Sequence, residues 1–176
     1  SRDNILMIKI KVILLSFFLI LLQINLSSSS ENIVFVDVDY VIKNSNVGKK
    51  ALEKINNLDK KNIDTLKKKN SELQKLETEL KNKQNIITND AFQLEVKNLK
   101  ELVNAYKKEK KIMVTNLNKF KNEEISKVFE QISPIISQYM ENNSINILFD
   151  SKNIFMGASS SDITKTILDE INNQIN

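Results

Sequence analysis

Apolar residues along the middle of this chain recur at the spacing of one narrow helical stripe, and they do so twice. Between Val47 and Met140, Leu52, Leu66, Leu73, Leu80 and Ile87 fall on multiples of seven, with Ile55 and Leu76 at the alternate seam position. In the next limb Phe92, Val96, Leu99, Val103, Tyr106, Met113, Leu117 and Phe120 step by three and four, interrupted where Lys110 takes a slot. A stripe this thin, sustained over several heptads, can be hidden only against another helix. The pattern predicts two long helices folded back on each other. One covers Val47 to about Asn85, roughly 58 Å at ~1.5 Å per residue, and the other about Asp90 to Asn142. Ile86-Ile87-Thr88-Asn89-Asp90 supplies the turn, with Asn89 or Asp90 capping the return helix.

The frame slips by one residue between Phe120 and Ile125. Beyond it Ile125, Val128, Ile132, Ile135 and Tyr139 resume the spacing and are joined by Phe129, Ile136 and Met140, so the apolar face is widest at the base of the hairpin. Pro134 lies in this face and predicts a kink, because it removes a backbone donor and crowds the preceding turn. Polar seam residues Asn62, Lys69, Lys83 and Lys110 predict an arm that is flexible away from its base.

Strand patterns flank the arm. Ile33 to Ile42 alternates, with Val34, Val36 and Val38 on one face and Ile33 and Phe35 on the other, followed there by Asp37 and Asp39. Lys43-Asn44-Ser45-Asn46 ends the strand, and Ser45 is placed to cap the helix beginning at Val47. After the arm, Ile145 to Asp150 reads as a second strand and Asn153 to Met156 as a short third, with Ser151-Lys152-Asn153 as a hairpin-like link. Asp162 then caps a last helix, Ile163 to about Asn173, whose Ile163, Ile167, Leu168 and Ile171 share a face. The strands come from both ends of the chain and meet because the arm returns to where it started.

Composition agrees with long helices and few turns: the 176 residues include one proline and two glycines. The formal charge of +4 is unevenly placed. Residues 47–140 hold 20 lysines against 13 acids, or +7, whereas 31–46 with 141–176 hold 3 lysines against 8 acids, or −5. Lysines flanking a coiled coil can be simply a solvated face. The functional alternative is a cationic arm that attracts acidic clients or sits by an anionic membrane surface. Lys, Asn and Ile are over-used together, so the net charge is a poor pointer to nucleic acid; the arm offers no arginine, and the aromatics beside its lysines, Tyr106 and Phe120, belong to the apolar stripe.

The amino terminus carries the parts of a secretory signal. Met7 reads as the start, followed by Lys9 and Lys11, the apolar run Val12 to Leu22 and the small cluster Ser27 to Ser30. The run falls short of the ~20 residues a spanning helix needs, although an uncleaved anchor is the competing reading. With no cysteine in the chain, a lipid-anchored start is excluded. Export to the periplasm with cleavage near Ser30 is the expectation.

Candidate chemistry is sparse. The chain has no histidine and no cysteine, which removes the commonest general base, the usual zinc ligands and thiolate nucleophiles. Asp37 and Asp39 would point the same way on a strand, as a hard-cation site requires, but no further acidic cluster completes one. Gly48-Lys49 lacks the earlier glycine and the following Ser or Thr of a P-loop. No catalytic residue, metal or cofactor is expected, and the chain does not read as an enzyme.

The segments flanking the arm carry a resemblance. Val36-Asp37-Val38-Asp39, Val41-Ile42, Ser45 and Gly48-Lys49-Lys50-Ala51 at one end resemble the Skp/OmpH family of periplasmic chaperones. So do Ile147-Leu148-Phe149-Asp150, Ser161-Asp162-Ile163-Thr164, Ile167 and Ile171-Asn172 at the other, with Pro134-Ile135-Ile136 between. The family often has proline after the capping serine, where Asn46 stands here. The resemblance implies a homotrimer whose arms enclose a cavity and hold unfolded outer-membrane proteins without ATP.

The resulting expectation is an α+β fold: a long antiparallel helical-hairpin (coiled-coil) arm, 47–140, on a small β body, 31–46 and 141–176, that pools strands in a homotrimer, preceded by a signal segment, 1–30. A 52-residue body is marginal on its own, which favours such pooling. Val34, Val36, Val38, Ile147, Phe149 and Ile154 are the candidate body and oligomerisation residues. Lys67, Lys68, Lys69, Lys107, Lys108 and Lys111 are candidates for client or membrane attraction, and Leu66, Leu73, Leu80, Val103 and Tyr106 for holding the hairpin. The rival reading is a structural coiled-coil spacer of the envelope.

Overall fold

A computed structural model describes residues 31–175; the expected signal segment lies outside the described residues. Six regular elements follow in order: β1 (Ile33–Val36), α1 (Val38–Asn44), α2 (Asn46–Lys83), α3 (Asn89–Asn142), β2 (Ile147–Asp150) and α4 (Thr164–Gln174). Short 3-10 turns occupy Ser151–Asn153 and Ser159–Ser161. The chain is mostly helical, with a long helical hairpin and a small two-stranded sheet.

The first strand is shorter than its alternation predicts. It stops at Val36 because Asp37 caps a helix: its Oδ1 accepts from the Tyr40 backbone N–H at 2.9 Å. Asp39 lies in the first turn, where a negative charge suits the helix dipole. Val38, Val41 and Ile42 are spaced i, i+3, i+4 and turn one helical face inward. Val38 is therefore no strand residue, and Asp37 and Asp39 do not share a strand face as a cation pair. Asp39 instead meets Lys152 at 2.6 Å, tying α1 to the turn after β2.

Ser45 then caps α2 as its sequence predicts, its Oγ accepting from the Gly48 N–H at 3.2 Å. A second orphan donor, the Asn46 N–H, is satisfied by Asn172 Oδ1 at 2.8 Å. Gly48 is buried because α1 and α2 meet there; a Cβ on it would lie 1.8 Å from the Ile42 carbonyl oxygen. At the far end of the hairpin the cap of α3 is Thr88, one residue before the expected Asn89 or Asp90. α3 continues unbroken through Pro134. It ends in a Schellman arrangement: the Ile145 N–H donates to Met140 O and the Ser144 N–H to Glu141 O, with Ser144 at φ 52 where glycine is usual.

β1 and β2 pair in parallel, Ile33 against Ile147 through Val36 against Asp150. Parallel strands need a long crossover, and here that crossover is the whole hairpin. No third strand forms at Asn153 to Met156. Asp150 accepts from the Lys152 N–H and starts a 3-10 turn, so the chain bends away instead of returning as a hairpin. The outer side of β1 meets the start of α4: the Ile163 N–H donates to Phe35 O, and Thr164 Oγ1 accepts from the Asp37 N–H at 2.8 Å. Thr164 is held in turn by Asp162 Oδ1, which accepts from both its N–H and its hydroxyl. Asp162 thus serves the helix one residue later than predicted.

One core joins these pieces. Val34 and Val36 from β1, Val41 and Ile42 from α1, Val47 and Ala51 from α2, Val128, Ile132 and Ile135 from α3, and Ile163, Ile167 and Ile171 from α4 are all buried together. Leu168 is only half-buried. The base of the arm is therefore part of the body's core, as the broad apolar face past Ile125 predicts.

Candidate functional site

Above that core the arm changes character. α2 buries no side chain between Ile55 and Leu80, and α3 buries none before Glu124. Leu66, Leu73, Val103 and Tyr106 face the partner helix but remain half-buried, and only Leu80 among the expected hairpin residues is fully covered. A two-helix arm has too few layers to hide its seam from both sides.

Charged residues complete the seam. Lys69 meets Glu109 at 2.5 Å and Lys83 meets Glu95 at 3.1 Å, both across the hairpin. The seam slot expected for Lys110 is taken by Glu109, while Lys110 is exposed. Nearer the body, Glu124 is buried and accepts from Lys54 at 3.0 Å and Lys127 at 2.6 Å. These two ammonium groups, Lys127 first, hold its carboxyl below the usual carboxylate range, and Glu124 in turn raises Lys127. Asp39 is lowered and Lys152 raised by their own hydrogen bond.

Between the Lys69–Glu109 and Lys83–Glu95 pairs, one flank of the hairpin is an open apolar groove. Its lower part, about 240 Å³, is lined by Leu73, Leu76, Leu102, Ala105 and Tyr106. Its upper part, about 140 Å³, shares Leu76 and Leu102 and adds Leu80 and Leu99. Leu76 is 42% and Leu102 48% exposed. Leu94, Ile112 and Val114 are exposed elsewhere along α3. Leu94 and Leu102 stand off the seven-residue spacing of the seam, and that displacement is the signal they leave in the sequence.

The body has a second uncovered apolar surface. Ile33 and Ile147, and Phe35 and Phe149, are register partners on the sheet face opposite Val34 and Val36. Ile33, Ile147 and Phe149 are exposed, and Phe155 and Met156 stand fully out on the following loop. Of the candidate body residues, then, Val34 and Val36 lie inside the chain's own core, Val38 is partly covered on α1, Ile154 is half-buried, and Ile147 and Phe149 face outward. Of the candidate lysines, Lys67, Lys68, Lys107, Lys108 and Lys111 are exposed on the arm. Lys69 is engaged by Glu109.

Fold and surfaces together define a hairpin-armed protein: a small α/β body carrying a two-helix arm with apolar surface on both. The family model for outer membrane protein (OmpH-like) matches residues 32–171, and the chain belongs to that family. Among solved structures, the fold matches an OmpH-like protein of Caulobacter crescentus, described as a candidate outer membrane chaperone. That match has a TM-score of 0.73 at 17% identity, and covers 82% of this chain and 85% of the other. No curated protein matches the chain. Among the described residues, no helix is long and apolar enough to cross a membrane.

Proposed function

We propose that this chain is an ATP-independent periplasmic holdase that assembles as a homotrimer and keeps unfolded outer-membrane proteins from aggregating between its arms. The family membership supports a chaperone role in general. The observation that carries the specific reading is the groove around Leu76 and Leu102, apolar surface left uncovered on an arm that has no further layer of its own. Burying apolar side chains of an unfolded chain there is favourable at about 25 cal/mol per Å², and a single open groove gives weak, reversible contacts. Such contacts suit a carrier that must release what it holds. The exposed lysines at 67, 68, 107, 108 and 111 add long-range attraction for acidic segments or an anionic membrane surface, falling with salt.

Self-association is supported by the apolar sheet face, since contiguous exposed apolar surface of this kind marks interaction sites. The predicted leader in residues 1–30 supports export. A spacer of the envelope would have no use for either surface.

The test is dilution of a urea-unfolded outer-membrane protein into buffer with and without the purified chain, followed by light scattering. The holdase reading expects scattering to fall in proportion to added chain, and expects the joint change Leu76→Asp with Leu102→Asp to weaken that protection. Both positions are exposed, so the helices should persist. Unchanged scattering at excess chaperone would overturn the holdase reading. Full protection by the double variant would move the contact surface elsewhere.

A further inference from the structure

Ion pairs join α2 to α3 at regular intervals along the arm among the described residues. Lys54 meets Glu124, Lys69 meets Glu109 and Lys83 meets Glu95. Moving outward from the body, the lysine advances by 15 and then 14 residues while the glutamate retreats by the same 15 and 14. Each step is about two heptads, or roughly 21 Å along the arm. In every pair the lysine is on α2 and the glutamate on α3, so one antiparallel alignment forms all three together.

A slip of one heptad in either direction breaks that agreement. Lys69 would face Leu102 or Asn116, Lys83 would face Thr88 or Leu102, and Glu109 would face Asn62 or Leu76. The apolar stripe repeats every seven residues and resists such a slip only weakly. Polar seam residues supply the missing register, as they do in coiled coils generally.

The pairs are also graded. The Glu124 side chain is 5% exposed and held by two lysines, Glu109 is 34% exposed and Glu95 41%. Apolar burial is likewise concentrated at the base, where Val128 and Ile132 are each 1% exposed; among the described residues none is buried beside Lys69 and Glu109, and Leu80, at 9%, is buried near the outermost pair. Salt screens exposed charges far more than buried ones.

We propose that these pairs are graded clasps: they fix the register of the hairpin, and they let its two helices part from the tip while the base stays closed. The apolar groove lies between the two outer clasps, so parting at the tip widens it. This goes beyond the holdase reading and is measurable with no client present.

The chain has no cysteine, so spin-label pairs can be placed cleanly in it. Asn82→Cys with Lys97→Cys reports the tip, and Asn57→Cys with Lys121→Cys the base; all four positions are exposed. Pulsed-EPR distances are compared at about 0.05 M and about 1 M salt. The clasps predict that the tip distribution broadens and moves to longer distance in high salt while the base distribution stays put. Lys69→Glu should produce the same tip shift already in low salt, Lys69→Gln a smaller one, and Lys69→Glu combined with Glu109→Lys should restore the narrow distribution. The proposal is overturned if the tip ignores both salt and Lys69→Gln, if the reversed pair fails to restore it, or if base and tip widen together.

Discussion

At the scale of single residues, the fold depends on a few positions where the chain comes unusually close to itself. Gly48 sits at the third position of α2, where alanine would ordinarily be the better helix former by about 1 kcal/mol. Here the order inverts, because the added methyl would fall 1.8 Å from the Ile42 carbonyl oxygen. Gly48→Ala is expected to cost about 3 kcal/mol or more, at the upper end of overpacking, and to lower the melting temperature by on the order of 10 °C. A thermal melt followed by far-UV circular dichroism reads it directly, and an unchanged midpoint would show that α1 can move aside. Asp37 teaches a related lesson. Its alternation with Val36 and Val38 has the period of a strand, but a carboxylate three residues before Tyr40 is also an N-cap, and hydrogen bonding decided between the two.

At the scale of elements, the hairpin is two different structures joined end to end. Its base is core, with Val128 and Ile132 each 1% exposed. Its outer part is a half-covered seam held in line by ion pairs. Glu124 marks the boundary, and its environment makes the base sensitive to acid. Its carboxyl is held below the ordinary value of about 4.3 by hydrogen bonds from Lys127 and Lys54. A group lowered on folding contributes stability above its unfolded value and loses that contribution as pH falls through the lower folded one. Glu124→Gln should therefore melt below the parent near neutral pH, and the gap should close as pH drops below about 4.3. Asp39 titrates in the same direction, so the difference between parent and variant, not the parent curve alone, isolates Glu124. A gap independent of pH would assign the loss to packing instead of charge.

At the scale of the whole molecule, what matters is apolar surface that one chain leaves uncovered. The inner face of the sheet is filled by Val34 and Val36 against α4 and the arm base. On the outer face Phe35 lies against Gly157, but Ile33, Ile147 and Phe149 stay 42%, 38% and 43% exposed among the described residues. On the proposed assembly, Phe149→Asp lowers the molar mass measured by light scattering towards that of a monomer at micromolar concentration. Helix content should be retained, since Phe149 is 43% exposed. A monomeric parent, or a variant that assembles as well as the parent, would contradict this use of the sheet face. The arm follows the same logic: Leu76 and Leu102 are 42% and 48% exposed, and on the proposed function an unfolded client covers them.

Heptad spacing and capping chemistry are local and leave their period in the chain, so the two long helices, their turn, the capping Ser45 and the broad apolar base are all legible in the order of residues. The motifs at either end were legible too. Thr164, held by Asp162, and Asn172 tie α4 to Asp37 and to the start of α2 by hydrogen bonds across more than 120 residues, although the sequence did not show what they touch. Tertiary structure alone decided the rest. It turned Val38 to Asn44 into a helix, abolished the third strand, set β1 and β2 in parallel and made Gly48 a contact between helices. It also matched Lys69 and Lys83 to Glu109 and Glu95 on the other limb. Those outcomes depend on which residues meet across the fold, and a one-dimensional pattern carries the period of a seam without its register.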